Sequence, residues 1–181
     1  MTTPRPAVTL AVPPQPQDHV RGSEHAHVTV LEYGDFECPS CKLAAPVASL
    51  LLERYPNRLR FIYRHFPIED AHPHALRAAE AAEAAASQGK FWPMHDLLFE
   101  HQTHLHDKDL ATYAAAVGVE PVRYAAEMAD HIYLQKVRES EAGGRRSHLR
   151  ATPSFFVNGV LCDVSFGLEA LHEAVRKTIE G

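Results

Sequence analysis

The chain has 181 residues, enough for one domain or one domain with an insertion, and at 45% hydrophobic and 23% charged it has ample material for a core. A net charge of −5 without a basic stripe argues against nucleic acid and anionic membrane as partners, and no apolar run is long enough to span a bilayer. Three cysteines are odd in number and too few to staple a scaffold.

Residues 1–25 read as a proline-rich arm, with five prolines in the first sixteen positions and Val8 to Val12 as a short edge strand. The arm has neither the basic start nor the long apolar core of a secretory signal, so a cytoplasmic location is expected. "HVTVLEYG", His27 to Gly34, is the first clear strand, rich in β-branched residues and closed by glycine. Pro39 to Tyr55 turns helical, with Leu43, Val47, Leu50 and Leu51 on one expected face and Pro46 expected to bend it. "LRFIYRHF", Leu59 to Phe66, is a second strand, so the first part is a βαβ unit with a parallel pair.

Helix then dominates. Eight of the twelve residues from Ala75 to Ala86 are alanine, and Gly89 suits a helix stop. Further helices are expected at Phe91–Gln102, Lys108–Val117, Pro121–Asp130 and Ile132–Glu141, with a break at Gly143-Gly144. "TPSFFVNGVLCDVS" reads as two short strands about an Asn158-Gly159 turn, and an amphipathic helix from Leu168 to Ile179 closes the chain. The order implies a discontinuous α/β domain, residues 26–67 and 150–181, interrupted by an all-helical insertion at 68–149.

The chemistry gathers at "CPSC". Cys38 stands where a helix begins, and the free N–H groups and dipole there stabilise a thiolate. Pro39 at the first helical position loses no hydrogen bond, since its missing N–H would be unpaired there anyway. Cysteines in such settings have pKa values lowered to about 3.5–7.5. Cys38 is therefore expected to be exposed and nucleophilic, with Cys41, one turn on, near enough to resolve a disulfide. Zinc is the rival reading. It needs four ligands, and this pair has no second pair beside it, only Cys162 and the 13 histidines, among them His72, His74 and a solvated run at His101, His104 and His106.

A strand ending in "VLEYGDFECPSC", followed by "YRHFP", "HPHALRAAEAAEAAASQGKFWPMHDLLFE" and "ATPSFFVNG", resembles the DsbA-like thiol-disulfide oxidoreductases from about His25 to the C-terminus. The resemblance implies an α/β thioredoxin-like fold with a helical insertion and no cofactor beyond a redox-active disulfide, with no metal. It gives Cys38 the attacking role and Cys41 the partner's. It places Thr152-Pro153 in a cis-proline loop, where the Thr152 backbone pairs with a substrate peptide. It also makes Glu32 a buried proton relay to Cys41; Val28, Val30 and Glu32 share one side of the strand, which suits burial. The pair between the cysteines, Pro39-Ser40, departs from the family's common Pro-His and Pro-Tyr, and serine, supplying only a hydroxyl, points to an intermediate potential.

The implied partners are proteins or peptides carrying thiols or disulfides, and a recycling system, glutathione or thioredoxin-like; a monomer acting as reductase or isomerase, or under oxidative stress, is expected. Two alternatives remain open beside zinc: a client-binding, chaperone-like module that has no need of Cys38, and a glutathione-dependent transferase, which typically has serine in the motif. Asp35 and Glu37 read as solvated loop charges, His65 as a surface or capping residue, Phe91, Trp92, Met94 and Leu97 as core, and Cys162 as a small buried hydrophobe.

Overall fold

The computed structural model describes residues 7–181. Five strands form one sheet, β1 (His19–Gly22), β2 (Val28–Gly34), β3 (Leu59–His65), β4 (Ser154–Val157) and β5 (Val160–Cys162), in the order β1-β3-β2-β4-β5. The helix α1 (Pro39–Arg54) carries the chain from β2 to β3 and makes that central pair parallel, whereas every other pairing is antiparallel. Between β3 and β4 lie α2 (Ala75–Ala86), α3 (Phe91–Glu100), α4 (Asp107–Ala116), α5 (Pro121–Ala129) and α6 (Leu134–Arg146), and α7 (Glu169–Glu180) follows β5. The fold is thioredoxin-like.

The parallel pair is buried on both faces, which is why β2 and β3 read as near-continuous apolar runs. On one face Val28, Val30, Phe61, Tyr63 and Phe155 pack with α1, α7 and the alanine-rich α2. On the other, Leu31, Tyr33, Ile62 and Phe156 pack with Phe66 and Leu149. The Asn158-Gly159 turn has positive φ at both residues, 46° and 80°, as a tight hairpin requires.

Four expectations are corrected. The arm holds a strand that the sequence reading lacked: β1 lies within it, paired antiparallel to β3. Arg64, 6% exposed, holds it there, donating to both Asp18 carboxylate oxygens at 2.8 Å and to the carbonyls of Val12 and Pro13. Val8 to Val12 runs along β5 through Leu10 N–H to Gly159 and Leu161 N–H to Val8, meeting it at a single bridge rather than as a strand. Residues 1–6 of the expected arm lie outside the described residues.

The buried face of α1 is Cys41, Ala44, Ala48 and Leu51, while Leu43 and Leu50 are 71% and 62% exposed. Small side chains at 44 and 48 let the helix sit close to the sheet with Cys41 turned inward; the leucine pattern alone pointed about one residue off. The helix runs on through Pro46.

Gly143 and Gly144 do not break α6. They let it approach the sheet, because a Cβ at Gly144 would meet the Phe66 ring at 2.6 Å and one at Gly143 would meet the Tyr33 hydroxyl at 3.1 Å. Gly144→Ala is therefore expected to destabilise the fold by about 1–3 kcal/mol despite alanine's better helix propensity, measured as a lower midpoint in urea. A rise in the midpoint would mean that Phe66 moves aside freely.

Candidate active site

The turn from β2 into α1 sets the two sulfurs. Cys38 is the N-cap of α1 with extended backbone (φ −75°, ψ 120°), and its carbonyl accepts from the N–H groups of Cys41 and Lys42 at 3.1 and 3.2 Å. Pro39 occupies the first turn, and both it and Ser40 are exposed. The expectation of an exposed Cys38 is corrected: the residue is only 6% exposed. The loop at the cis Thr152-Pro153 bond lies over it, with Cys38 Sγ 3.4 Å from the Thr152 carbonyl oxygen. Gln102, beyond α3, braces the other side by donating to the carbonyls of Phe36 and Cys38 at 2.9 and 2.8 Å.

Partial burial does not keep Cys38 protonated. A hydrogen bond from Cys41, with further help from the N–H groups of Cys41 and Ser40, outweighs desolvation and brings its pKa from 9.0 to about 5. Cys41 goes the other way. It is fully buried, and desolvation, its bond to Cys38 and the charge of Glu32 push its thiol far above the usual range. One turn of helix thus separates a thiolate from a thiol.

Glu32 lies in β2 between Tyr63 of β3 and Phe155 of β4 and is 2% exposed, so its buried side is as expected. Its Oε1 and the Tyr63 hydroxyl are buried without hydrogen-bond partners. Desolvation, and then the charge on Cys38, raises the Glu32 carboxyl to about 8, while burial raises Tyr63 as well. Tyr63 escaped the sequence reading. The available signal was register: a parallel β2–β3 pair with both faces buried places Phe61, Tyr63 and His65 alongside Val30, Glu32 and Gly34. Gly34 is small for the same reason, since a Cβ there would sit 2.5 Å from the Tyr63 ring.

Asp35 is buried and Glu37 half-buried, each held by partners rather than left as a solvated loop charge, which is a second correction. Asp35 is 2% exposed, and its carboxylate accepts from Glu37 N–H at 2.8 Å, Ile68 N–H at 2.9 Å and His72 Nδ1 at 2.7 Å. Glu37 accepts from His74 N–H at 2.7 Å and pairs with its Nδ1 at 3.0 Å. The connections before α1 and before α2 have N–H groups that no strand satisfies, and these carboxylates supply the acceptors.

His65 is likewise buried rather than superficial. His65 Nε2 and His19 Nε2 stand 2.8 and 2.6 Å from Glu83 Oε1, with Lys136 Nζ on the other oxygen at 2.5 Å. Burial alone would raise the Glu83 carboxyl, but the bonds from His19 and His65 overcome it and hold it well below the usual carboxylate range. These three side chains are the group with metal-ligand spacing among the described residues, and neither motif cysteine belongs to it. Phe91 and Met94 are buried as expected, Trp92 and Leu97 are half-buried, and Cys162 is half-buried against the core.

A thioredoxin-like sheet with a Cys-x-x-Cys pair at the first helix and a cis-proline loop facing it defines the class. A sequence model of the thioredoxin family matches residues 14–177, and the chain belongs to that family. Its structural neighbours are DsbA-like thiol-disulfide oxidoreductases. BdbD from Bacillus subtilis, 22% identical, superposes with a TM-score of 0.85 over 98% of this chain and 100% of its own. A thioredoxin-like oxidoreductase from Silicibacter pomeroyi, 28% identical, gives 0.80 over 92% of this chain and 95% of its own. Alpha-DsbA1 of Wolbachia pipientis, 20% identical, gives 0.77 over 92% and 93%. The chain spans about a quarter of the curated relatives it matches: Na(+)/H(+) antiporter NhaA 1 of Salinispora arenicola is 45% identical over 96% of this chain and 27% of its own length.

Proposed function

We propose that this chain exchanges a Cys38–Cys41 dithiol and disulfide with protein substrates through a mixed disulfide at Cys38. The observation that supports it is the contrast between the sulfurs, Cys38 near 5 and Cys41 far above the thiol range. In the disulfide form a substrate thiolate attacks Cys38 Sγ; the S–S bond breaks, and its electron pair leaves on Cys41, which takes up a proton. A second substrate thiolate attacks the substrate sulfur of the mixed disulfide and expels Cys38 as a stabilised thiolate. The substrate gains a disulfide and the protein keeps two electrons as a dithiol. Reduction is the reverse, with Cys41 giving up its proton as it attacks Cys38.

Stabilising the Cys38 thiolate favours the dithiol, so the disulfide form is a good donor. Donation and isomerisation therefore fit this site, where the sequence pointed to a reductase or isomerase. Thr152, over Cys38, would bind an extended substrate segment through its backbone with little regard for side chains. Oxidised glutathione, or the disulfide of a thioredoxin-type partner, would accept the two electrons of the dithiol and restore the Cys38–Cys41 disulfide. Ion transport, named for the antiporter relatives, is not part of the proposal.

Cys41→Ser provides the test. A variant whose Cys38 thiolate can still attack but whose mixed disulfide cannot be resolved is expected to accumulate an adduct with a peptide thiol activated as its nitrothiobenzoate disulfide, nitrothiobenzoate leaving with the electron pair of the broken S–S bond. One adduct per chain on Cys38 in a mass spectrum supports the reading. Adducts spread equally over Cys38 and Cys162 would defeat it, because nothing would then distinguish the motif sulfur.

A further inference from the structure

We propose that His72 is a positioning residue for the exchange reaction: bonded to the buried Asp35 carboxylate that pins the cysteine loop, it presents a titratable positive charge to the Cys38 thiolate and sets how that thiolate responds to pH. This rests on the thiol-exchange reading above and adds a regulatory element to the same site. Asp35 binds the loop twice, through Glu37 N–H to its carboxylate at 2.8 Å and Cys38 N–H to its carbonyl at 3.1 Å. The same carboxylate holds His72 Nδ1 at 2.7 Å and Ile68 N–H at 2.9 Å, so the segment after β3 is tied to the segment before α1. The Asp35 side chain is fully buried, whereas the His72 ring keeps 19% exposure and can exchange its proton with water.

The charged groups acting on His72 are Asp35, Cys38 and Glu37, all from the β2–α1 turn. Glu37 is in turn occupied by His74, whose Nε2 meets His106 Nδ1 at 3.2 Å. Desolvation works against the imidazolium, but the bond to Asp35 and the three negative groups prevail and raise its pKa above 6.5. His72 thus keeps its charge to higher pH than a free imidazole and loses it as pH rises through its folded value. Losing it withdraws a favourable partner from the thiolate, which becomes more basic, a stronger nucleophile and a poorer leaving group.

The test compares wild type, His72→Gln and His72→Lys. Gln keeps a neutral donor for Asp35, and Lys keeps a charge that does not titrate near neutrality. Two readouts are taken from reduced protein: the Cys38 thiolate pKa from absorbance at a thiolate wavelength, and the iodoacetamide alkylation rate across the neutral range. His72→Gln is expected to raise the Cys38 pKa by on the order of half a unit, with His72→Lys close to wild type. The wild-type alkylation rate is expected to show, above the main Cys38 step, a second rise of less than about threefold, absent from both variants. A Cys38 pKa unchanged in His72→Gln, or a second step that survives in both variants, overturns the inference. A wild-type Cys38 that titrates like free cysteine overturns instead the exchange reading beneath it.

Discussion

Cys38→Ser is expected to abolish exchange, a loss on the order of a thousandfold or more in insulin-disulfide turnover, equivalent to about 4 kcal/mol of barrier. The site lowers a thiol from 9.0 to about 5 with a hydrogen bond from Cys41 and the amides of a helix start. An alcohol begins so far above a thiol that the same donors leave it protonated at neutral pH, and oxygen cannot form the mixed disulfide. Burial sharpens the contrast, since Cys41 cannot stand in: it has no solvent exposure, and its thiol is held protonated. The control is wild-type alkylation, expected to stay fast as the pH falls towards about 5. If Cys38→Ser retained most of the activity, the protein would be acting by holding clients, as a chaperone-like module does.

How much of this was legible depended on where the physics is local. The strand–helix–strand unit, the Asn158-Gly159 hairpin and the Cys-x-x-Cys pair at a helix start are each written within a few neighbouring residues. What the sequence hid depends on contacts between distant segments. β1 is four residues, His-Val-Arg-Gly, with no alternation of its own, and it becomes a strand through pairing with β3. Asp35 carries the charge of a solvated loop residue until His72 and Ile68, more than thirty positions on, turn it into a buried anchor. Gly143-Gly144 looked like a stop because glycine is a poor helix former, but packing against Phe66 and Tyr33 requires small residues inside the helix. The inward face of α1 was misread for a related reason: leucines were weighted above alanines, although alanines set the close approach.

Glu32→Gln is expected to make the reduced protein more stable in alkali and slower in resolving its mixed disulfide, a pairing that an incidental buried carboxylate would not produce. Glu32 is 2% exposed, and one of its oxygens has no partner, so folding takes a carboxylate out of water without compensation. Its folded pKa of about 8 lies above the value of 4.5 expected of an unfolded chain. The folded state therefore binds the extra proton. Stability is complete below the unfolded pKa, falls as pH rises from there through about 8, and levels off beyond, by on the order of 5 kcal/mol in all. Glutamine has nearly the same shape and no proton to lose, so urea unfolding at pH 5 and pH 9 should show a drop for wild type that the variant largely lacks. The same raised pKa suits the reaction: near neutrality the group can both give and take a proton beside Cys41, whose thiol cannot ionise unaided. Resolution by Cys41, followed as release of a preformed mixed disulfide, is expected to slow by roughly a hundredfold in Glu32→Gln. If the variant shared the wild-type loss of stability in alkali, Glu32 would not hold its proton in the fold; if resolution kept its rate, Cys41 would pass its proton to something else.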